Sequence, residues 1–501
     1  VSERVVIGID VGTRSTKGVL IDMRTGRVIA HTSVDHGIEL GADGRVEHDA
    51  DAVWWAESRT VLNELTQRAE PSNEIAAVGL SSCGPCLVGI GATDAALRPG
   101  ILYGIDTRAT AEVADLVGEW PDEIATRRFG MPFSSQSVVP KIRWLEAHEP
   151  EVATATTGWL TANGYLALRL TGARVIDHHQ AAYFAPDYAD GMWLPSADSR
   201  VPRLAWSDDV IGEVTIDAAD ATGVPAGTPV VIGSSDGATD PVGAGVTAGT
   251  TALLRYGSTL GLTIMVEGTR PGVAGLWRTP GNRPDQSMYV GGLSTAGSIT
   301  SWFREQLARD LPSGDSHQVQ QAHRQLTSEA AASPIGASGV LTLPYFAGER
   351  TPFSDPEARG VIAGVGLDTS RGDLYRSILE GAGFGLRHLV ETARAGGVRI
   401  DRFRAVGGGS AGSLWPKIVS DVTGIPQDIV HPHLGAPLGA ARLAAEGVGL
   451  VATDSPAWVT VSRSIEPDAA ASLGYDRLYP LFRRLYDGTR DVISELREGR
   501  Q

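Results

Sequence analysis

Apolar positions near the start of the chain fall in two β-rich runs, Val5 to Ile9 and Gly18 to Ile21, separated by Asp10-Val11-Gly12-Thr13-Arg14-Ser15-Thr16-Lys17. The pattern predicts a hairpin with a polar tip. Glycine lets a ligand approach the backbone, and Thr13, Ser15, Thr16 and the turn amides supply donors to anionic oxygens, so the tip suits phosphate. Asp10, at the end of a buried strand, is placed to hold Mg²⁺, which takes one or two carboxylates together with phosphate oxygens and water. Taken alone, a merely solvated tip accounts for the stretch equally well. The pattern recurs from Pro229, where Val230 to Ser235 leads into Asp236, and Leu253 to Gly261 repeats strand, Gly257-Ser258-Thr259 turn and strand. Two half-chains, each opening on such a hairpin, predict a duplicated α/β unit closing on one nucleotide, with the cleft between the halves.

Strand and helix signals alternate along the rest of the chain. A third strand is expected over Val28 to Val34, a helix from Asp49 or Asp51 through Trp54-Trp55 to Leu65, and a buried strand from Ile75 to Leu80 that delivers Ser81 to Cys86 at its carboxyl end. Asp106 and Arg108 leave another apolar run, and Asp106 could equally cap a helix beginning near Thr107. Glu112 to Ala221 reads as an insertion of short helices covering the sheet, including an amphipathic helix from Lys141 that ends before Pro150. In the second half, Ser294 to Trp302 opens a helix on small residues, a long helix runs from Leu374 to Ala393, and Phe403 to Trp415 is strand, glycine turn, helix. Gly435 to Ala441 begins a helix of small residues suited to close packing, and Tyr475 to Leu496 is an amphipathic closing helix.

Composition narrows the partners. The 501 residues, 42% hydrophobic and 20% charged, are enough for two or more full cores. A formal net charge of -16 argues against nucleic acid, whose binding surfaces are basic, and favours a small substrate. No apolar run approaches the ~20 residues of a membrane span, and no signal-peptide core precedes the first strand, so a cytoplasmic protein is expected. The two cysteines form Cys83-Gly84-Pro85-Cys86, a redox spacing. A redox pair needs its first thiol at a helix N-terminus; here Leu87 to Gly91 follows as an apolar, Gly-spaced run, which favours a structural turn. No second ligand pair supports zinc.

The order IDVGTRSTK, GSSDGATDPVGAG, YGSTLG, LPYFAGERTPFSDPEARGVIAGV, DLYRSILEG, VGGGSAGSLW and GAPLGAARLAA resembles the FGGY carbohydrate kinases over almost the whole chain, most closely the xylulokinase branch. Gly360 to Glu380 fits the family's C-terminal signature, while Val138 and Ala147 depart from the N-terminal one. The resemblance implies two actin-like (ribonuclease H-like) ATPase domains with a cleft between them, residues 1–245 carrying the sugar site and first phosphate hairpin and 246–501 the nucleotide site. It implies ATP and Mg²⁺, Asp236 as the catalytic base, Asp10 as the acid that organises Mg²⁺, and two phosphate hairpins, one of Gly12, Thr13, Ser15 and Thr16, the other of Gly257, Ser258 and Thr259. Lys17 adds charge near the β- or γ-phosphate. Gly297 and Ser301 fall where the family meets nucleotide from a helix start, and Gly408, Gly409 and Ser413 where it meets adenosine. Homodimerisation is a further family expectation.

The sugar pocket departs from the xylulokinase pattern. A Met-His pair is replaced by Gly84 and Pro85, a Trp-Asn-Asp triplet by Tyr103-Gly104-Ile105-Asp106, and the Asn after the catalytic Asp by Gly237. Changing three polar positions should change the preferred sugar. D-Xylulose, another pentulose, a tetrulose, a deoxy sugar and a sugar alcohol all remain open. Asp106, Arg108, Tyr103 and the Cys83 to Cys86 turn are candidate replacement contacts, with plain loop structure as the competing reading. Two other classes compete with a sugar kinase: a regulatory or chaperone-like ATPase of the same fold, which would need a client-binding domain that is not evident, and a non-catalytic sugar-binding protein, which the presence of Asp10 and Asp236 disfavours.

Overall fold

The opening hairpin forms as expected: Glu3–Val11 and Ser15–Asp22 pair antiparallel, and Val28–Asp35 adds a third strand. Val5 to Val11 is buried without a break, as a strand covered on both faces requires. In this computed structural model, which describes residues 3–432 and 434–498, the sheet continues in parallel on the other side of the hairpin. Asn73–Ser82 lies beside Glu3–Val11, Pro229–Ser235 lies beside Asn73–Ser82, and Val210–Glu213 closes the edge antiparallel.

The second sheet repeats this order. Thr251–Tyr256 pairs antiparallel with Leu260–Glu267, which pairs with Gln286–Leu293, while Arg402–Val406 and Gln427–His431 continue in parallel. Trp277–Pro280 and Thr460–Ile465 form the edges. The two halves therefore have the duplicated, actin-like plan, but the repeat starts at Thr251 rather than at Pro229. Pro229–Ser235 is the last parallel strand of the first sheet and corresponds to Gln427–His431. A β-branched run ending in Asp occurs twice because two strands of one sheet deliver carboxylates to the same edge, and local pattern does not reveal which strands are neighbours.

The helices after these two last parallel strands, Asp236–Gly243 and Ala436–Gly447, pack on each other where the halves meet. Their small residues make this contact possible. A Cβ added to Gly439 would collide with the Thr239 carbonyl oxygen, and one at Gly243 with the Gly435 carbonyl. Ala436–Gly447 also crosses onto the first sheet, where a Cβ on Gly8 or Gly79 would strike the Pro437 or Ala440 carbonyl. Conversely, Ala238 of the Asp236 helix is buried with Met265 and Met288 of the second sheet. Each half thus reaches into the other just behind the Asp236 end of the first sheet.

Most other elements follow their sequence signals. Asp49 accepts from Asp51 N (2.9 Å) and Ala52 N (2.8 Å) and starts a wide turn over Ala50–Trp55 that runs into Ala56–Arg68. Ser370 and Asp373 form a reciprocal capping box at the start of Arg371–Ala395. The closing helix, Ala469–Glu498, packs Tyr475, Tyr479 and Phe482 against Phe384. The helix near Thr107 begins instead at Thr110, after Ala109, with no side-chain cap, so Asp106 is not its N-cap. No helix among the described residues is long and apolar enough to cross a membrane.

Because the Thr239 carbonyl lies where a Gly439 side chain would have to go, Gly439→Ala forces the crossing helices apart. Overpacking of this kind costs about 1–3 kcal/mol, and thermal unfolding should show a clearly lower Tm. An unchanged Tm would contradict the packing described.

Candidate active site

Asp10 stands at the end of the first strand, opposite Lys17 in the hairpin ladder and beside Ser81 on the parallel neighbour. Ser81 Oγ donates to Asp10 Oδ1 (2.8 Å) and meets Thr239 Oγ1 (2.8 Å), and Thr239 Oγ1 donates to the Ser235 carbonyl (3.1 Å). This chain of hydroxyls fixes three adjacent strand ends and the Asp236 helix relative to one another. Burial pushes the Asp10 carboxyl up to about 7, the charge of Asp236 adds to the rise, and the Ser81 bond and Lys17 oppose it.

Asp236 opens its helix, and its Oδ1 accepts from the Gly237 N–H (2.7 Å). Its surface is open to solvent, yet protein surrounds it, as expected of a residue on the floor of a cleft. That enclosure raises its pKa, Arg255 pulls it back, and Asp240 raises it again. Arg255 comes from Thr251–Tyr256 of the second sheet, and its Nε donates to Asp240 Oδ2 (2.7 Å), with Nη2 bonding the same oxygen. Lys17 is exposed and acts electrostatically on both Asp10 and Asp236. Three carboxylates and Lys17 of the first half thus meet Arg255 of the second at the junction.

Asp240 and Arg255 were not singled out from sequence. The signal for Asp240 was present in the Asp236-to-Asp240 spacing, which puts both on one helix face. Among the described residues no group of three or more His, Cys, Asp or Glu is arranged to hold a metal by itself.

The first hairpin tip is a tight turn closed by Gly12 N–H to Ser15 O (3.0 Å). Thr13 Oγ1 is hydrogen-bonded to Tyr103 OH (2.9 Å). Thr16 departs from the expectation of a phosphate contact: it is fully buried and donates to Glu57 Oε2 (2.8 Å). Strand alternation explains this, because Ser15 and Lys17 share one face and Thr16 points to the other. Ser15 is itself buried, while Gly12 and Thr13 are half-exposed.

The second tip, Gly257-Ser258-Thr259, is exposed. Its Gly257 and Ser258 carbonyls accept from the N–H groups of Gly297 (3.1 Å), Ala296 (2.9 Å) and Ser298 (3.1 Å). Gly297 is therefore committed: its N–H serves the hairpin instead of a nucleotide, and a Cβ there would strike the Gly257 carbonyl. Ser301 lies one turn further along the helix Gly297–Leu307 and is half-buried. After Arg402–Val406, Gly408 and Ser413 are exposed, and a Cβ on Gly408 would meet nothing, whereas Gly409 sits against Trp415 and Tyr256.

On the other side of Asp236, Cys83 N–H donates to the Val11 carbonyl (2.7 Å), holding the Cys83 to Cys86 turn against the first strand. Both thiols are free and buried, with 3.6 Å between sulfurs. The Cys86 contact and burial push the Cys83 thiol well up, so it is neutral and a poor nucleophile. Gly84 is half-buried, and a Cβ there would collide with Gln180 Oε1; Gly237 is half-buried beside Asp236.

Tyr103 keeps its place through Lys141, a buried cation that donates to the Leu102 (2.8 Å) and Tyr103 (2.9 Å) carbonyls, its pKa lowered by burial to about 8. Asp106 is not available to a ligand. It is buried, ion-paired with Arg108 (2.7 Å) and bonded by the Val46 N–H (2.7 Å), so its charge is consumed inside the fold. A cavity of about 490 Å³ lies elsewhere, behind the crossing helices, lined by Arg283, Arg404 and Arg442 with Glu267, Glu446 and Asp454. Arg283 and Arg442 both pair with Glu446, and neither Asp10 nor Asp236 reaches it.

Residues 5–243 match the N-terminal domain of the FGGY family of carbohydrate kinases and residues 244–447 its C-terminal domain. The chain belongs to that family. As an FGGY carbohydrate kinase it transfers a phosphoryl group from ATP to a sugar hydroxyl. This FGGY chain is 27% identical to the xylulose kinase of Staphylococcus epidermidis, with 99% of each chain covered. The crystal structure of xylulose kinase from Rhodospirillum rubrum superposes with a TM-score of 0.90 at 31% identity, covering 98% of this chain and 100% of that one. Gluconate kinase from Lactobacillus acidophilus, at 23% identity and TM-score 0.89 over 99% of this chain and 100% of that one, shares the fold.

The raised Asp10 pKa makes a pH prediction for this FGGY kinase without ligands. Between about pH 4 and about pH 7 folded Asp10 keeps a proton that the unfolded chain has released, so this group makes stability fall as pH rises. Asp10→Asn cannot ionise and still accepts from Ser81. It should gain stability over the native chain at pH 8 and gain little at pH 4, measured by thermal melting without nucleotide or Mg²⁺. An equal difference at both pH values would contradict the assignment.

Proposed function

We propose that this FGGY kinase transfers the γ-phosphoryl group of ATP to a hydroxyl of a small ketose, D-xylulose or a related pentulose or tetrulose, with Asp236 as general base. The observation that carries this reading is the placement of Asp236 on the cleft floor, between Asp10 and Lys17 of one half and Arg255 of the other. A base for an alcohol must lie within hydrogen-bond reach of the attacking hydroxyl and be basic enough to accept its proton. Enclosure raises the basicity of Asp236, while Arg255 and the Gly237 N–H favour its ionised form and fix its direction. Asp10 would hold Mg²⁺, with phosphate oxygens and water completing the shell; the ion would neutralise charge on the β- and γ-phosphates.

In this reading residues 1–245 hold the sugar and first hairpin and 246–501 the nucleotide. The tips, half-exposed Gly12-Thr13 and exposed Gly257-Ser258-Thr259, cradle phosphate, Lys17 adds charge beside them, and the open faces of Gly408 and Ser413 receive adenosine. Transfer then depends on positioning and charge neutralisation. Tyr103 and the Cys83-Gly84 turn border the sugar side. Gly84, Pro85 and Gly237 offer no side-chain hydrogen bond to a hydroxyl, which favours a ketose read by fewer polar contacts and keeps pentuloses, tetruloses and polyols in competition. We place the enzyme in the cytoplasm, where its ATP is.

Asp236→Ala should keep nucleotide affinity and lose at least about a hundredfold in sugar-dependent ADP release, read by a coupled assay over a panel of ketoses and polyols. Retained turnover in the variant would remove Asp236 from its role, and ADP release independent of every sugar would favour a regulatory ATPase.

A further inference from the structure

Beside the first hairpin tip, His36 follows the strand Val28–Asp35 with a side chain only 6% exposed. It touches the tip twice and the neighbouring helix once. Its main-chain N–H donates to the Arg14 carbonyl (2.9 Å), its Nε2 lies 3.2 Å from the Gly12 carbonyl, and its Nδ1 lies 2.8 Å from Glu57 Oε2. Glu57, in the first turn of Ala56–Arg68, accepts the Thr16 hydroxyl at the same oxygen. That oxygen is therefore an acceptor, and so is the Gly12 carbonyl. A neutral imidazole has one N–H and could satisfy only one of them; a ring protonated at both nitrogens donates to both. Three groups face the ring: Glu57 from the helix, His48 edge-on at 4.8 Å, and the Gly12 carbonyl of the tip. His48, with Trp54 Nε1 donating to its Nδ1 at 3.2 Å, is the neutral member of the histidine pair.

These contacts bear on phosphate binding through peptide geometry. In a planar trans peptide the carbonyl and the following N–H point in opposite directions. A bond to the Gly12 carbonyl from His36 therefore turns the Thr13 N–H to the side not occupied by His36 and Glu57, and a bond to the Arg14 carbonyl does the same for the Ser15 N–H. Two amides of the tip are aimed by one residue.

We propose that His36, held as an imidazolium by Glu57, is a positioning residue for the triphosphate: it clamps the Gly12 and Arg14 carbonyls so that the Thr13 and Ser15 amides face the phosphates, and it adds a buried positive charge behind them. Thr16 completes the device by saturating Glu57, which explains why a hydroxyl in the phosphate hairpin faces inward. This inference rests on the kinase reading for the identity of the phosphate ligand.

The test combines resting-state spectroscopy with nucleotide binding, neither of which requires the sugar to be known. In ¹⁵N-histidine-labelled protein without ligand at pH 7.5, both ring nitrogens of His36, assigned through His36→Gln, should carry protons; a single neutral tautomer overturns the proposal. By calorimetry, His36→Phe should weaken MgADP about tenfold, as expected for loss of one charge-assisted bond. His36→Gln, which can still donate to Gly12, should recover part of the loss. In turnover, the KM for ATP should rise in His36→Phe while the KM for the sugar changes less than about twofold. Unchanged MgADP affinity in a folded His36→Phe, or equal rises in both KM values, overturns it. Failure of the kinase reading would instead show as absent turnover in the native chain with the histidine signature intact.

Discussion

Burial raises the proton affinity of both Asp10 and Asp236, the charge of Asp236 adds to the rise at Asp10 and that of Asp240 to the rise at Asp236, and the surrounding structure is arranged around these like charges. Left alone, the pair would favour the neutral acid. Lys17 from the first hairpin and Arg255 from the second sheet oppose this. That balance is what the proposed roles require, a net negative site for a divalent ion with its nucleotide and a carboxylate basic enough to take a proton from an alcohol. Arg255 matters doubly, since it belongs to the second sheet but is anchored on Asp240 of the first half's last helix. Its position couples the charge balance at Asp236 to the relative placement of the halves.

That placement is set by the crossing of Asp236–Gly243 and Ala436–Gly447. Backbone-to-backbone approach there depends on glycine and alanine, so the contact is short and shape-determined, with little side-chain slack. The Ser81, Thr239 and Ser235 bonds run from this crossing to Asp10. Structural precision at the junction is thus transmitted directly to Asp10 and Asp236, while the tips Gly12-Thr13 and Gly257-Ser258-Thr259 project from strands of the two sheets.

Features carried by local pattern were legible in the amino-acid sequence. The Asp10 hairpin, the Gly257 hairpin, the strand leading to Asp236, the glycine turn at Gly408 and the small-residue helix at Ala436 all announce themselves within ten or so residues. What depends on distant partners was not. Asp106 looked available because the Val46 N–H that it accepts lies 60 residues back in the chain. Thr16 looked like a phosphate contact until the strand pleat turned it toward Glu57. His36 carried no motif, because its partners Gly12 and Glu57 lie 24 and 21 residues away. The start of the repeat was misplaced at Pro229 because sheet neighbours, unlike strands, leave no local trace.

The central claim is that one cleft, floored by Asp10 and Asp236, brings a nucleotide's phosphates and a sugar hydroxyl together. The most direct measurement is the distance from Asp236 to the reacting hydroxyl in a crystal structure of the chain with a ketose and a non-hydrolysable ATP analogue. The account predicts a carboxylate oxygen within about 3 Å of that hydroxyl, the hydroxyl in line with the γ-phosphorus, and both hairpin tips on the same triphosphate. A sugar bound out of reach of Asp236, or tips facing different ligands, would contradict it.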